Sequence, residues 1–314
     1  MRMYDIRTDL ALEQKERFEA EKIEINGVVV EEDYDEEKEI RITTVRIETE
    51  KGAKIMGKPT GTYITLEAPN MSIPDEEYHR SISEELVKHM EKLIPVDKAE
   101  YSVLVVGLGN QKITPDALGP LVIDNLYINR HLIQEYGKYA MDKEIVECVS
   151  AIVPGVMGQT GMETVEIVRA VVNETKPDFI VAIDALAARN FKRLSRTIQI
   201  ADTGINPGSG VGNHRNAITE KTVGVPVLAI GVPTVVDAAT IVNDALEHLI
   251  SGLNSMEKYD VSDKMVAPHL NGMFVTPKDI DETVKRISYT ISEALNILFS
   301  NLHSYNGAET GDGK

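Results

Sequence analysis

Five apolar runs constrain the fold of this chain more than any other feature of its sequence. Each run is long enough for one strand, and helical stretches separate several of them. Strands without polar alternation are typical of a parallel sheet with helices on both faces. Their alternation with helices predicts a doubly wound, mostly parallel α/β fold. The runs are YSVLVVGLG (101–109), EIVECVSAIV (144–153), DFIVAIDAL (178–186), RTIQIAD (196–202) and VPVLAIGVP (225–233).

The first 95 residues have a different composition, because charged residues are dense there and the apolar runs are short. Three β-type runs precede an amphipathic helical stretch that ends at Pro95. We predict a small N-terminal antiparallel layer with a helix over residues 1–95, joined to an α/β core over residues 96–314 in one integrated domain. The β-type runs are at 24–32, 39–50 and 61–69, and the helical stretch, with Ser72 as a candidate cap, is at 72–95.

The net charge of −17 disfavours nucleic acid as a direct partner, because an acidic surface repels the phosphate backbone. The single cysteine, Cys148, excludes an internal disulfide and lies in an apolar stretch typical of a core. No apolar run reaches the ~18 residues that a membrane helix needs. The N-terminus also lacks the apolar centre of a signal peptide. We therefore expect a soluble cytoplasmic protein with no membrane partner.

The loop GLGNQKITPDALGP (107–120) follows the first apolar run, at the sheet edge where open α/β proteins bind ligands. It lacks the third glycine of a dinucleotide fingerprint and the Gly-Lys-Ser/Thr of a phosphate loop. Thr114 can cap the helix that follows, with Pro115 at its first position. Asp116 is a candidate functional acid. The alternative is that Asp116 only stabilises the helix N-terminus.

Asp184 follows Ile183 directly in the run FIVAIDALAAR (179–189), with no turn residue between them. Partial desolvation there disfavours a charged carboxylate unless a hydrogen bond or a cation compensates. Arg189 is a candidate for that cation, so a purely structural role for Asp184 stays open. If Asp116 and Asp184 lie on neighbouring strands, they can share a proton. One can then activate water while the other protonates the leaving group.

The loop ADTGINPGSGVGNHRN (201–216) is rich in glycine, so its backbone can approach a ligand closely, although a flexible lid has the same composition. The chain contains no HExxH and no G-x-S-x-G motif. One alternative to a pair of aspartates is a metal site formed by Asp116, Asp184 and His214. Another is a non-enzymatic module whose glycine-rich loops bind a small anion.

Seven segments of the chain, in order, closely resemble the germination protease family of spore-forming bacteria. The resemblance implies an atypical aspartic endopeptidase with an α/β fold similar to that of hydrogenase maturation proteases. It implies a tetrameric zymogen without a metal or cofactor, which degrades small acid-soluble spore proteins in the core of the germinating spore. The segments are RTDLALE, LVVGLGN, TPDALGP, SAIVPGVMGQTGMET, FIVAIDALAAR, NPGSGVGN and GVPTVVDA.

By the same resemblance, the catalytic aspartates are those of TPDALGP and AIDALAAR, which are Asp116 and Asp184. The same two aspartates are the candidates that their positions after apolar runs indicate. The residues expected to line the site or to bind substrate are Gly109, Asn110, Thr114, Pro154, Gly155, Arg189, Gly208, Gly210 and His214.

The segment TDLALE (8–13) resembles the substrate pattern of the family, which is an acid, an apolar residue, alanine, any residue and glutamate. We therefore predict that the enzyme cuts its own chain between Asp9 and Leu10 and so removes a propeptide. The alternative is that these residues only begin a capped helix.

Overall fold

The computed structural model describes residues 8–20, 25–94, 98, 100–138, 147–208, 216–242, 270 and 272–301. The strands are β1 Val28–Asp35, β2 Ile40–Ile47, β3 Gly61–Glu67, β4 Ser102–Gly107, β5 Cys148–Ile152, β6 Phe179–Ala188, β7 Thr197–Ala201, β8 Val227–Asp237 and β9 Phe274–Val275. The helices are α1 Ala11–Ala20, α2 Glu50–Met56, α3 Glu76–Glu91, α4 Leu118–Asp124, α5 Arg130–Tyr136, α6 Met157–Thr160, α7 Thr164–Thr175, α8 Glu220–Val223 and α9 Ile280–Asn301. Within these residues the strands form one sheet in the order β1-β2-β3-β7-β8-β6-β4-β5, and β9 pairs with β8.

The middle of the sheet is parallel. β5, β4, β6 and β8 lie side by side in this order with parallel pairing. Successive side chains of β4 point to opposite faces, and both faces are buried. Val103 and Val105 belong to one apolar cluster, and Leu104 and Val106 belong to the other. The α/β class and all five predicted apolar strands are therefore confirmed.

Helices cover both faces of this parallel core, as predicted. α3, α4 and α9 contribute apolar side chains such as Leu86, Val122 and Ile287 to the cluster on one face. α7 and α8 contribute Val168 and Val223 to the cluster on the other face. None of the helices that the structure describes is both long and apolar enough to cross a membrane.

The sheet as a whole is mixed. β7 pairs antiparallel with both β3 and β8, although its run RTIQIAD is as apolar as those of the parallel strands. Only residues 189–196 connect β6 to β7, and a parallel return needs a crossover of a dozen or more residues. The predicted parallel direction is wrong for β7, because an apolar run does not encode strand direction.

The N-terminal strands extend the main sheet and do not form a separate layer. β1, β2 and β3 are antiparallel, as predicted, but β3 also pairs with β7. α3 packs on α9, where the Ser83 hydroxyl donates to the Thr290 carbonyl oxygen at 2.9 Å. The predicted boundary between residues 95 and 96 lies outside the described residues.

Two helix boundaries differ from the prediction. α3 begins after Asp75, whose carboxylate caps its first turn, and not after Ser72. The helix predicted to follow Thr114 is divided into two, α4 and α5. Asn129 lies between them and accepts a hydrogen bond from Val149 N–H at 2.8 Å. Asn129 thus directs its side chain to the backbone of β5 immediately before α5 begins, a contact that the local pattern does not reveal.

Candidate active site

Asp184 lies in the middle of the sheet, where one neighbouring strand ends and the other continues. β4 ends at Gly107, which is paired with Ile183, so Asp184 is the first residue of β6 beyond that edge. On its other side, β6 stays paired with β8 as far as Ala188. Asp184 is 4% exposed, and its Oδ1 accepts a hydrogen bond from Ala185 N–H at 3.0 Å. Asp184 therefore lies at the carboxyl end of β4 but within β6, because β8 continues to supply backbone partners beyond it.

Asp116 lies at the same end of β4 because the backbone of α4 packs directly against the backbones of β4 and β6. A Cβ atom on Gly119 would lie 2.4 Å from the Leu108 carbonyl oxygen and 2.7 Å from that of Ile183. A Cβ atom on Gly107 would lie 2.5 Å from the Gly119 carbonyl oxygen. Only glycine permits this approach at both positions, so the glycines of this loop bring a helix to the sheet and do not form a phosphate loop.

Asp116 itself closes a short 3-10 helix, Thr114–Asp116, which precedes α4. The sequence predicted that the Thr114 side chain caps the following helix, but it makes no capping hydrogen bond. The Thr114 carbonyl oxygen accepts a hydrogen bond from Ala117 N–H. The Thr234 hydroxyl of β8 donates to the Pro115 carbonyl oxygen at 2.7 Å. The 3-10 turn is therefore tied to a central strand, which fixes the half-buried Asp116 beside the sheet.

Gly109 and Asn110 hold Asp116 from the other side. Gly109 has a φ of +111°, and a Cβ atom there would lie 2.0 Å from the Asp116 carbonyl oxygen. Asn110 N–H donates to the same oxygen at 3.0 Å. The Asn110 side chain in turn accepts hydrogen bonds from Lys112 N–H at 3.1 Å and from Gln159 Nε2 at 3.2 Å. Asn110 thus shapes the loop and does not line the cavity.

Asp116 and Asp184 line one cavity of about 360 Å³. Its wall is mostly apolar with a few polar groups, which is typical of small-molecule and substrate sites. A larger groove of about 1140 Å³ lies between α3 and α9 and contains neither aspartate. Among the described residues, no group of three or more His, Cys, Asp or Glu side chains could hold a metal ion. The threonines in the wall of the smaller cavity are Thr164, Thr234 and Thr276.

Only some of the other predicted lining residues lie in the cavity wall. Pro154 is buried in the loop that follows β5. Arg189 directs its backbone N–H to the Glu13 carboxylate at 2.7 Å. Gly210 and His214 lie outside the described residues, so their place in the site stays a prediction. The residues found in the cavity wall are Gly109, Gly155 and Gly208.

The predicted cleavage segment lies against the same cavity, because Asp9 is part of its wall. Asp9 N–H donates to the Ala187 carbonyl oxygen at 3.0 Å. Ala187 N–H donates to Asp9 Oδ2 at 2.9 Å. Leu10 is fully buried in the apolar cluster that also contains Leu186. The segment therefore runs alongside the end of the strand that carries Asp184.

Two residues that no sequence motif marks bind the Asp9 carbonyl oxygen. Lys58 Nζ donates to it at 2.7 Å, and Gln199 Nε2 donates at 3.3 Å. Burial lowers the pKa of Lys58, and the Asp9 carboxylate opposes this shift. Neither residue lies in a loop after an apolar run, since Lys58 follows α2 and Gln199 lies within β7. The signal that could have found Gln199 is a polar side chain inside the apolar strand TIQIA.

Glu13 anchors the rest of the segment. Its carboxylate accepts hydrogen bonds from the backbone N–H groups of Arg189 and Asn190 at 2.7 and 2.9 Å. Arg193 Nη1 lies 3.4 Å from Glu13, and its Nη2 lies 2.6 Å from Glu16. Burial opposes the charged form of Arg193, but the hydrogen bond to Glu16 and the surrounding carboxylates outweigh it and raise the pKa of Arg193. The ion pairs of Arg193 with Glu13 and Glu16 thus hold α1 beside the site.

Comparison with known proteins identifies the family. A family model described as germination protease matches residues 6–253, which include Asp9, Asp116 and Asp184. The chain belongs to the germination protease family. The resemblance found in the sequence is thereby confirmed, and the chain is a peptidase of spore germination.

Germination proteases of several bacteria are similar over most of this chain. That of Caldanaerobacter subterraneus subsp. tengcongensis is 46% identical in an alignment of 309 residues that covers 93% of each chain. That of Clostridium tetani is 46% identical in an alignment of 310 residues that covers 93% of this chain and 94% of the relative. That of Bacillus pumilus is 44% identical in an alignment of 274 residues that covers 84% of this chain and 72% of the relative.

Proposed function

We propose that this germination protease is an endopeptidase in which Asp116 and Asp184 activate the water that cuts a peptide bond. One observation carries the proposal. Asp9, at the predicted cleavage site, lies in the same cavity wall as both aspartates. A substrate-like segment and the two candidate catalytic acids are therefore neighbours in one structure.

The chemistry follows from a pair of acids that share one proton, because two close carboxylates do not easily ionise together. The charged member removes a proton from water as the water oxygen attacks the carbonyl carbon. The π electron pair of the carbonyl moves onto its oxygen. When the carbonyl re-forms, the C–N bond breaks, and the protonated member gives its proton to the leaving nitrogen. The products are a carboxylate and an amine.

We further propose that the substrates are small acid-soluble spore proteins. The support is the segment TDLALE, which has the substrate pattern of the family and is bound along the end of β6. Cleavage of this segment between Asp9 and Leu10 converts the zymogen into the mature enzyme. We propose a homotetramer in the spore core, without a metal or cofactor, whose fold is similar to that of hydrogenase maturation proteases.

The experiment is self-processing of the purified full chain, followed by mass spectrometry. The wild type should yield a product that begins at Leu10. Asp116→Asn and Asp184→Asn should each stop the reaction, because an amide can neither take nor give the proton. Asp124→Asn is the matched control, since Asp124 is exposed on α4 and outside the cavity wall.

Processing that persists in either amide variant at the wild-type rate would remove that aspartate from the mechanism. A binding module without enzymatic activity would leave the N-terminus intact in every variant, the wild type included.

A further inference from the structure

We infer that Lys58 and Gln199 form the site that stabilises the negative charge on the carbonyl oxygen during the self-cleavage reaction. The inference rests on the proposed cut between Asp9 and Leu10. It adds two catalytic residues to the pair of aspartates, one in the connection between α2 and β3 and one in β7. In acyl transfer, hydrogen-bond donors aimed at the developing oxyanion contribute much of the rate enhancement.

The contacts are on the oxygen that must receive the charge. Lys58 Nζ is 2.7 Å and Gln199 Nε2 is 3.3 Å from the carbonyl oxygen of Asp9. When water attacks the carbonyl carbon, the π electron pair moves to this oxygen and stays there until the C–N bond to Leu10 breaks. The ammonium of Lys58 and the amide of Gln199 then face a full negative charge.

Both donors are held in place before the reaction. The Gln199 Oε1 atom accepts a hydrogen bond from Ala11 N–H at 2.7 Å, which leaves Nε2 directed at the Asp9 carbonyl. Gln199 belongs to a strand paired on both sides, so its backbone is fixed. Lys58 follows Gly57, the left-handed residue that ends α2, and its own N–H donates to the Ala53 carbonyl oxygen at 3.2 Å. Such preorganisation is what makes oxyanion donors effective.

The donors and the aspartates reach Asp9 from different cavities. The cavity of about 360 Å³ has Asp9, Asp116 and Asp184 in its wall. A second cavity of about 280 Å³ has Asp9, Lys58 and Gln199 in its wall. The chain at Asp9 thus lies between them. The aspartates can therefore activate water on one side of the peptide bond, while Lys58 and Gln199 stabilise the charge on its carbonyl oxygen from the other side.

Two substitutions test the donors separately in the full chain. Lys58→Met removes the ammonium with little change of volume. Gln199→Glu keeps the acceptor for Ala11 N–H but removes the donor to the carbonyl. Each should slow the first-order processing rate by about 10²- to 10³-fold, the loss seen when one oxyanion donor is removed. Lys58→Arg keeps a charged donor and should recover part of the rate. Lys54→Met, at an exposed lysine of α2, should process at the wild-type rate.

Hydrogen exchange of residues 8–20 separates this role from simple anchoring. We expect this segment to stay as protected in Lys58→Met as in the wild type, since Glu13 and Arg193 still hold it. A slow variant whose segment has become unprotected, or a variant that processes at the wild-type rate, would overturn the inference. If self-processing still requires Asp116 and Asp184 in the same assay, the proposed function stands. If the wild type is not cut at Leu10, the proposed function fails first.

Discussion

At the scale of single residues, Gly109 determines where Asp116 lies. Its φ of +111° is one that L side chains rarely adopt, and a Cβ atom would lie 2.0 Å from the Asp116 backbone. Gly109→Ala must therefore displace the loop that carries the acid. We expect self-processing to slow by about 10- to 100-fold and the free energy of unfolding to fall by about 1–3 kcal/mol. Processing kinetics and thermal unfolding of the same sample measure both.

Gly158→Ala is the control for this substitution. Gly158 lies in α6, and a Cβ atom there would meet no heavy atom within 4 Å. We expect an unchanged processing rate and a stability that is unchanged or up to about 1 kcal/mol greater, because alanine favours a helix. Equal losses in the two variants would show that the position of Asp116 is not what Gly109 controls.

The pair Asp116 and Asp184 is expected to act without a metal ion. Incubation of the full chain with a chelator should leave its processing rate unchanged, with metal content measured before and after. A rate that falls on chelation and returns on addition of a divalent metal would contradict the dyad. It would favour the rival in which Asp116, Asp184 and His214 bind a metal.

The sequence identified these two aspartates for a physical reason. Asp116 follows one apolar run and Asp184 interrupts another, and open α/β sheets bind ligands at the carboxyl ends of such strands. Lys58 has no such local signal, and Gln199 has only its polar side chain inside the apolar run TIQIA. Nothing local links either residue to Asp9, because they are 49 and 190 residues away from it along the chain. Their meeting depends on the order of strands in the sheet, which periodicity does not encode.

At the scale of elements, α1 is held beside the site by ion pairs with a buried arginine. Arg193 is 8% exposed and binds Glu13, Glu16 and Glu67. Removing one partner of a buried ion pair leaves uncompensated charge and costs about 3–5 kcal/mol. Arg193→Gln should therefore raise hydrogen exchange in residues 8–20 and slow self-processing, because the segment is less often in place.

Arg80→Gln provides the comparison for Arg193. Arg80 and Glu84 form an exposed pair on α3 at 3.5 Å, and such pairs contribute roughly 0–1 kcal/mol. We expect no change in exchange of residues 8–20. Wild-type exchange in Arg193→Gln would mean that other contacts hold α1.

Helix α3 makes the stability depend on pH through a buried histidine. Burial and the neighbouring Lys92 lower the pKa of His89 from 6.5 to about 4. The folded state thus favours the neutral ring, whereas the unfolded chain takes up a proton near pH 6.5. This contribution is complete above pH 6.5 and is lost as the pH falls through about 4.

The unfolding free energy should fall between pH 7 and pH 4, and we expect this fall to be smaller in His89→Gln than in the wild type by roughly 1–3 kcal/mol. Chemical denaturation at several pH values measures it, with the exposed His131→Gln as the control. A slope that is the same in His89→Gln and in the wild type would exclude His89 as the source.

At the scale of the whole molecule, the net charge of −17 bears on which form of the substrate is attacked. An acidic enzyme is repelled by the phosphate backbone. We therefore expect small acid-soluble spore proteins to be cut more slowly on DNA than free in solution. Parallel digestions with and without DNA measure the ratio, and a DNA-insensitive peptide controls for inhibition of the enzyme itself. Equal rates for the bound and free forms would contradict this expectation.

The overall architecture was predictable only in part. The parallel middle of the sheet follows from apolar runs separated by helices, because only a sheet covered on both faces buries such strands. The direction of β7 and the union of β1–β3 with the main sheet do not follow. The direction of β7 depends on its short connection to β6, because an apolar run does not encode strand direction. The union of β1–β3 with the main sheet depends on the pairing of β3 with β7, whose residues are distant in sequence and carry no common motif.

The burial of Leu10 has a consequence for the direction of activation. Its nitrogen is now an amide that donates to the Thr8 hydroxyl at 3.1 Å, and the residue has no exposed surface. A cut before it would leave an ammonium ion inside an apolar cluster, where a charge is costly. The freshly made terminus would gain hydration by moving out to solvent. Re-forming the peptide bond would then require the charged terminus to return to the apolar cluster, which disfavours the reverse reaction.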